Sequence, residues 1–305
     1  MRWGSGRRGP GMSPRLPAAL DAEEWRLSLP GCGEVLCYRD RAVSGVPLLL
    51  LHSINAAPSA REVQPLFDAL RGERPVYAPD LPGFGRSNRE ARAYLPEFYA
   101  DFILALLEAI GEAPAQVLAL STSCEFAARA ALRAPQRFAG LSFVSPTGLG
   151  TRTPPSGRTA ERIHGFLSAP LIGGGLYRLL RTRPSVRYFL GLAFDGPPPR
   201  ELVDYACLTA AQPGATQAPF RFLSGQLFTP DAAERLYRPL EVPVRVLYDT
   251  DPNVGFERLD DLLRDCSNWS AARIQGTRGL PHWQRLPETL RALREFWGPL
   301  EGHRG

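Results

Sequence analysis

One serine lies where an apolar run meets a helix-forming run, and this junction constrains the fold more than any other feature of the sequence. Residues 117–120 are apolar, and Ser121 joins them without a Gly or Pro to the Ala-rich residues 123–133. A strand that turns sharply into a helix and exposes a hydroxyl at the tip has this layout. The turn requires small residues two positions before and after the serine, and Ala119 and Ser123 meet that requirement. A strand end followed by a Ser/Thr helix cap is the alternative interpretation.

The basic residues exclude several kinds of chemistry. All 36 of them are Arg, because the 305-residue sequence contains no Lys. A Schiff-base lysine, a phosphate-binding P-loop and a Ser-Lys dyad are therefore excluded. The net charge is +5, but the Arg residues are scattered among 31 acidic residues and form no stripe. We therefore expect no nucleic-acid partner.

Cysteine spacing and hydropathy favour a cytoplasmic protein without a metal. The five Cys are far apart and include no CxxC pair, so reduced thiols are favoured over a zinc site or a disulfide framework. No apolar run approaches the roughly 20 residues that a membrane span requires. Nothing in the sequence calls for an organic cofactor, and a small molecule is the expected substrate or ligand.

The order of strand and helix patterns predicts one large α/β domain with an inserted lid. In residues 21–146 and 240–300 strands alternate with helices at the spacing of a mostly parallel sheet flanked by helices. Residues 147–239 contain short helical segments punctuated by Pro and Gly and no long strand, which predicts a helical lid. Residues 1–20 are predicted to form a disordered tail, with the start at Met1 or at Met12 left open.

Several motifs agree in order and spacing with one known family. Residues 80–87 read Asp-Leu-Pro-Gly-Phe-Gly-Arg-Ser, which is close to a D-x-P-G-x-G-x-S signature. His52 and Ser53 stand where the family has a His-Gly pair. Together with the turn at Ser121, these motifs resemble the α/β-hydrolase family over about residues 24–299. The resemblance implies an α/β-hydrolase fold with catalytic groups at the carboxyl edge of the sheet.

The same resemblance implies roles for three residues that each follow a predicted strand. Ser121, Asp251 and His282 occur in the family's order of nucleophile, acid and base. Ser121 would attack the substrate once a base accepts its proton, and Asp251 would stabilise the protonated base. Asp249 is the competitor for the acid role, and the position of Asp251 before Pro252 favours Asp251.

An oxyanion hole made of main-chain donors follows from the resemblance. A tetrahedral intermediate places negative charge on one oxygen, and backbone N–H groups aimed at that oxygen stabilise it. The N–H of Thr122 and that of Ser53 or Ile54, in the loop after His52, are the expected donors. Main-chain donors tolerate a serine at position 53.

The base is the point at which the sequence departs from the family pattern. The family commonly has a G-H-x-P-H-W-E run before its last helix, and alignment with residues 277–284 puts Gly279 at the catalytic position. His282 falls on the second His of that run. Two alternatives stay open. Either His282 reaches the serine from three residues later, which is close to one helical turn, or the protein lacks a conventional triad.

The sequence therefore favours a serine hydrolase that cleaves a carboxylic ester or a related acyl bond through an acyl-Ser121 intermediate. The apolar and aromatic lid favours a small hydrophobic substrate. The alternative is a non-catalytic member of the same fold that binds a small ligand or a protein, since positions 53, 119, 123 and 279 all depart from the usual motifs. The sequence gives no information on the oligomeric state.

Overall fold

A twisted eight-stranded sheet forms the centre of the molecule. The computed structural model describes residues 16–111 and 113–302. The strands, in chain order, are β1 (Glu23–Leu29), β2 (Gly33–Asp40), β3 (Leu48–Leu51), β4 (Val76–Pro79), β5 (Ala115–Leu120), β6 (Phe138–Val144), β7 (Val244–Tyr248) and β8 (Trp269–Arg273). Their spatial order is β1-β2-β4-β3-β5-β6-β7-β8. The pairs β1–β2 and β2–β4 are antiparallel and the remaining pairs are parallel, which confirms the predicted mostly parallel sheet.

Helices cover the sheet and also fill the interval between β6 and β7. In chain order they are α1 (Gln64–Leu70), α2 (Pro96–Ile110), α3 (Ser123–Arg133), α4 (Gly157–Ser168), α5 (Pro170–Leu180), α6 (Arg183–Gly191), α7 (Arg200–Ala210), α8 (Gln217–Leu223), α9 (Leu259–Asp265), α10 (Pro281–Gln284) and α11 (Leu286–Gly302). Short helical turns lie at Ala60–Val63, Pro135–Arg137 and Ala233–Tyr237. None of the described helices is long and apolar enough to cross a bilayer.

The two faces of the sheet bury alternate residues of the same strands. On one face Leu49 and Leu51 of β3 join a core formed with α2, α3 and α9. On the other face Leu48 and Leu50 join a core formed with α1 and α11. Successive side chains of a strand point to opposite faces, so a strand covered on both sides needs apolar residues throughout. This requirement explains the unbroken run of leucines in β3.

Helices α4–α8 lie between β6 and β7, and no strand interrupts them among residues 145–243, all of which are described. Their packing differs from that of the core helices. α4 and α6 bury few side chains, and Phe166, Leu179, Tyr188 and Phe189 are exposed. This helical segment occupies the interval in which the sequence predicts a lid, residues 147–239.

The predicted disordered tail, residues 1–20, includes residues that the structure shows to be ordered. Leu16 and Leu20 are buried. The N–H of Ala19 donates to the Tyr38 hydroxyl at 2.8 Å, and the Tyr205 hydroxyl donates to a main-chain carbonyl of the same segment. Residues 16–20 are therefore packed onto β2 and α7. The rest of the predicted tail, including Met12, lies outside the described residues, as does His303.

Candidate active site

Ser121 occupies a strained turn between β5 and α3. Its φ is 52°, in the left-handed region that residues other than Gly adopt rarely. Its N–H donates to the carbonyl of Val144 at 2.9 Å, and its own carbonyl accepts from the N–H of Cys124 at 3.1 Å. These bonds fix the turn to β6 on one side and to the first turn of α3 on the other. The sharp strand-to-helix turn that the sequence predicts is present, with Ser121 at its tip.

Ser123 and His52 brace the turn at Ser121 through hydrogen bonds. Ser123 is fully buried, and its hydroxyl donates to the carbonyl of His52 at 2.6 Å. The His52 ring donates from Nδ1 to the carbonyl of Ser53 at 2.7 Å and accepts at Nε2 from the N–H of Leu81 at 2.9 Å. Burial lowers the pKa of His52 to about 4, so the ring is neutral at neutral pH. Both of its nitrogens are occupied.

A buried carboxylate orders the loop after β3. Glu62 accepts the N–H of Ser53 on Oε2 at 2.9 Å and the Asn55 side-chain amide on Oε1 at 2.8 Å. Burial raises the pKa of Glu62. The Ser53 N–H is therefore engaged, whereas the N–H groups of Ile54 and Thr122 donate to no acceptor in the described part of the chain. Sequence reasoning missed Glu62, because no motif marks it and only the fold brings it to this loop.

The two candidate acids after β7 have different surroundings. Asp249 pairs with Arg273 at 2.7 Å and accepts the N–H of Thr277 at 3.2 Å. Burial acts to raise the pKa of Asp249, but the hydrogen bonds from Arg273 and from the main chain, together with the charge of Arg273, outweigh it and hold the pKa below its usual value. Asp251 accepts the N–H of Asn253 at 2.8 Å, and burial raises its pKa. Asp251 lines the same cavity as Ser121, and Asp249 does not.

Gly279 lies beside Asp251 and lines the cavity without a side chain. A Cβ built on Gly279 would lie 2.9 Å from Oδ2 of Asp251 and 3.4 Å from the Cβ of Ala193. Its backbone is outside the left-handed region, so the local conformation does not require glycine. The position that the family pattern assigns to the base therefore lies directly against the carboxylate but carries no side chain.

His282 is held away from this position by the short helix α10. Its Nε2 donates to the main-chain carbonyl of Glu62 at 2.7 Å, and the indole N–H of Trp283 donates to the same carbonyl at 2.7 Å. The ring is fully buried, its Nδ1 has no partner among the described residues, and burial lowers its pKa to about 4. Ser121, Asp251 and Gly279 line one cavity, but His282 does not. No contact supports the predicted base role of His282, which stays a prediction.

The cavity has a volume of about 340 Å³ and mainly apolar walls. Helices α5–α8 and the loop before α7 supply most of the apolar side chains, which are Leu180, Val186, Phe189, Leu190, Leu192 and Phe222. The floor lies at the carboxyl ends of β5, β6 and β7. There Ser145, with a φ of 45°, presents a buried hydroxyl that has no partner among the described residues. A cavity of this size suits a small, largely apolar molecule.

Charge in the cavity is of one sign. Glu62 and Asp251 are the only ionisable residues among the described side chains that line it. Neither forms an ion pair with another described residue. The positive charge of Arg278 acts to lower the pKa of Asp251, but Arg278 does not line the cavity. Within residues 16–111 and 113–302, no cluster of three or more His, Cys, Asp or Glu is placed to hold a metal.

Comparison with known proteins identifies the family. A model of the alpha/beta hydrolase family matches residues 48–296. The chain belongs to this family. It is also 32% identical over 127 residues to the dihydrolipoyllysine-residue acetyltransferase component of the acetoin cleaving system of Pseudomonas putida. That match covers 41% of this chain and 32% of the other protein, so the chain spans about a third of that relative.

Solved structures share the fold at low sequence identity. A thermophilic esterase from Thermogutta terrifontis matches with a TM-score of 0.68 and 19% identity, over 92% of this chain and 100% of the esterase. A probable hydrolytic enzyme from Pseudomonas aeruginosa matches with a TM-score of 0.72 and 19% identity, over 90% and 94% of the two chains. These matches agree with the α/β-hydrolase fold. Family membership supports a hydrolase activity in general terms.

Proposed function

We propose that this protein is a hydrolase that cleaves a carboxylic ester or a related acyl bond of a small hydrophobic substrate through an acyl-Ser121 intermediate. The position of Ser121 carries the proposal, because its strained turn presents the hydroxyl to an apolar cavity at the carboxyl edge of the sheet. Strain held at such a turn is typical of a reactive group that the surrounding structure keeps in place.

The proposed oxyanion hole consists of the N–H groups of Ile54 and Thr122. Both are without an acceptor in the described part of the chain, so they are available to an incoming oxyanion. The N–H of Ser53, the third donor that the sequence suggests, is bound to Glu62. We therefore give Ser53 a positioning role, in which its bond to Glu62 orders the loop that presents Ile54.

Asp251 is the proposed acid, and the proton acceptor is the incomplete part of the machinery. Asp251 would stabilise a positive charge that develops beside Gly279. The cavity contains no imidazole among its described side chains, so the proton of Ser121 would pass to water, and we expect slow attack by Ser121 and slow hydrolysis of the acyl intermediate. A substrate with a good leaving group, such as a p-nitrophenyl ester, should acylate Ser121 faster than water removes the acyl group, so the acyl-enzyme should accumulate with that substrate.

Intact-protein mass spectrometry after incubation with p-nitrophenyl butanoate tests the proposal. We expect the wild type to gain one butanoyl group and the Ser121→Ala variant to gain none. Ser270→Ala is the matched control, because Ser270 lies in β8 and its hydroxyl donates to a strand carbonyl outside the cavity. This control should acylate as the wild type does. Equal acylation of wild type and Ser121→Ala would contradict the proposal.

The second candidate function is binding of a small ligand without turnover. Gly279 and the placement of His282 favour it, because the cavity is well formed but lacks the usual base. The same experiment separates the two functions. A folded wild type that shows neither acylation nor release of p-nitrophenol would support a binding protein.

A further inference from the structure

We propose that the cavity binds a cationic, largely apolar ligand whose basic nitrogen pairs with Asp251. The proposal uses the cavity of the proposed function but does not depend on acyl transfer, since binding alone tests it. The chemical class is an amine or an imidazole attached to an apolar body.

The charge of the cavity opposes that of the whole chain. The protein carries a net charge of +5 from 36 Arg residues, yet no Arg is among the described residues that line the cavity. The lining instead contains the carboxylates of Glu62 and Asp251. Buried charges without a partner are costly, and a cation from the ligand offsets that cost. An anionic ligand would be repelled by both carboxylates.

The two carboxylates are not equivalent, and this difference locates the cation. Both oxygens of Glu62 accept hydrogen bonds from the loop after β3, so its lone pairs are largely used. Oδ1 of Asp251 accepts the N–H of Asn253, whereas Oδ2 lies beside Gly279, which has no side chain to cover it. A ligand nitrogen that reaches Asp251 from the cavity would form a charge-assisted hydrogen bond, and bonds of this kind are strong.

The remaining surfaces of the cavity fit an apolar body with a polar end. Leucine, valine and phenylalanine side chains from the helical segment line one side. On the other side the buried hydroxyl of Ser145 has no partner among the described residues, and it lines the same floor as Ser121 and Asp251. A buried polar atom without a partner indicates a group that a bound molecule satisfies. The cavity therefore has an apolar side and a polar side, which match the apolar body and the charged end of the proposed ligand.

Isothermal titration calorimetry with two probes of equal size tests the proposal. The probes are 3-phenylpropylamine, a cation at pH 7.5, and its neutral counterpart 3-phenylpropanol. We expect the wild type to bind the amine at least about tenfold more tightly than the alcohol, because only the amine can pair with Asp251. Equal affinities, a preference for the alcohol or no binding of either probe would overturn the proposal.

Three variants test whether Asp251 is responsible for the preference for the amine. Asp251→Asn removes the charge and should reduce the amine-to-alcohol ratio to about one. Gly279→Ala keeps the charge but adds a methyl group that crowds Oδ2 of Asp251, at 2.9 Å, and it should also lower the ratio. Asp249→Asn is the matched control, because Asp249 pairs with Arg273 outside the cavity, and it should retain the wild-type ratio. Circular dichroism confirms folding of each variant.

The outcomes separate this proposal from the proposed function. An amine preference that survives in folded Asp251→Asn would overturn the assignment of the cation site. A preference that depends on Asp251 in a protein that is never acylated would support the cation site and contradict acyl transfer. Acylation of Ser121 without any amine preference would contradict the cation site alone.

Discussion

At the scale of single residues, Gly279 is the departure with the largest chemical consequence. The proposed nucleophile, the main-chain donor of Ile54 and a carboxylate lie around one cavity, and the other proposed donor, Thr122, follows Ser121 in the chain. Gly279 lines the same cavity with a backbone outside the left-handed region, but a Cβ there would lie 2.9 Å from Oδ2 of Asp251, so a side chain requires that carboxylate to shift. The side chain that the family pattern places at this position is absent, and substitution can supply it.

Gly279→His should raise ester hydrolysis. An imidazole on this position would lie between Asp251 and the cavity, where it could accept a proton from Ser121. We expect kcat/KM for p-nitrophenyl butanoate to increase by about tenfold or more, since a well-placed general base contributes about 10²–10⁴-fold and Oδ2 of Asp251 must first shift. Gly279→Ala is the control for a change in cavity shape and should give no increase. No gain in folded Gly279→His would show that the position is not oriented toward Ser121.

His282 is a residue type that is common in catalysis, but its contacts indicate a structural role. Its ring and that of Trp283 both donate to the carbonyl of Glu62, whose side chain holds the loop after β3. His282 thus positions the proposed oxyanion loop through Glu62. Burial lowers the pKa of His282 to about 4, which keeps the ring a neutral donor at neutral pH.

His282→Ala should lower the free energy of unfolding by about 2 kcal/mol, from the loss of a buried hydrogen bond and of ring packing. Urea denaturation at pH 7 measures this change. Trp283→Phe removes one donor from the same carbonyl and keeps the packing, so a smaller loss of about 1 kcal/mol is expected. A His282→Ala protein of unchanged stability that no longer acylates at Ser121 would instead support the base role.

At the scale of elements, Glu125 joins three segments that meet behind the turn at Ser121. It lies in the first turn of α3, accepts the hydroxyl of Thr147 after β6, and accepts the N–H of Thr229 at 2.7 Å after α8. Burial raises the pKa of Glu125 to about 7, and the hydrogen bonds only partly oppose this shift. A carboxyl whose pKa is raised in the folded state favours folding at low pH, and this contribution is lost as pH rises through the folded pKa.

Glu125→Gln should remove this pH dependence. Between pH 5 and pH 8 the wild-type free energy of unfolding, minus that of the variant, should fall by about 3 kcal/mol at most, because the pKa moves from 4.5 to about 7 on folding. Urea denaturation of both proteins at several pH values measures the difference. His52 and His282 titrate in both proteins alike, so the subtraction cancels them. A difference that is constant with pH would contradict the raised pKa.

At the scale of the whole molecule, the sequence predicts the architecture well because the determinants are local. The four consecutive leucines of β3 and the run before Ser121 specify strands covered on both faces, and alternation with helices specifies a mostly parallel sheet. The turn at Ser121 follows from the small residues around it. Packing of residues 16–20 against Tyr38 is a long-range contact that no local pattern reveals.

The composition of the site depends on contacts between distant segments, so the sequence predicts less of it. The partner of the Ser53 N–H is Glu62, and the acceptor for the His282 ring belongs to that same residue, 220 positions away. No sequence motif indicates either contact. The choice between Asp249 and Asp251 likewise depends on which carboxylate faces the cavity, and only the fold places Arg273 beside Asp249. The departure at Gly279 is indicated by the resemblance of residues 277–284 to the family's run before the last helix.

We propose that Ser121 is the reactive serine of this cavity, and labelling with a fluorophosphonate followed by peptide mapping checks this claim. Ser145 is the informative competitor, since it lines the same cavity with the same backbone strain. We predict a single phosphonylated peptide modified at Ser121, with no labelling of Ser121→Ala. An adduct on Ser145, or a folded wild type that remains unlabelled, would contradict the claim.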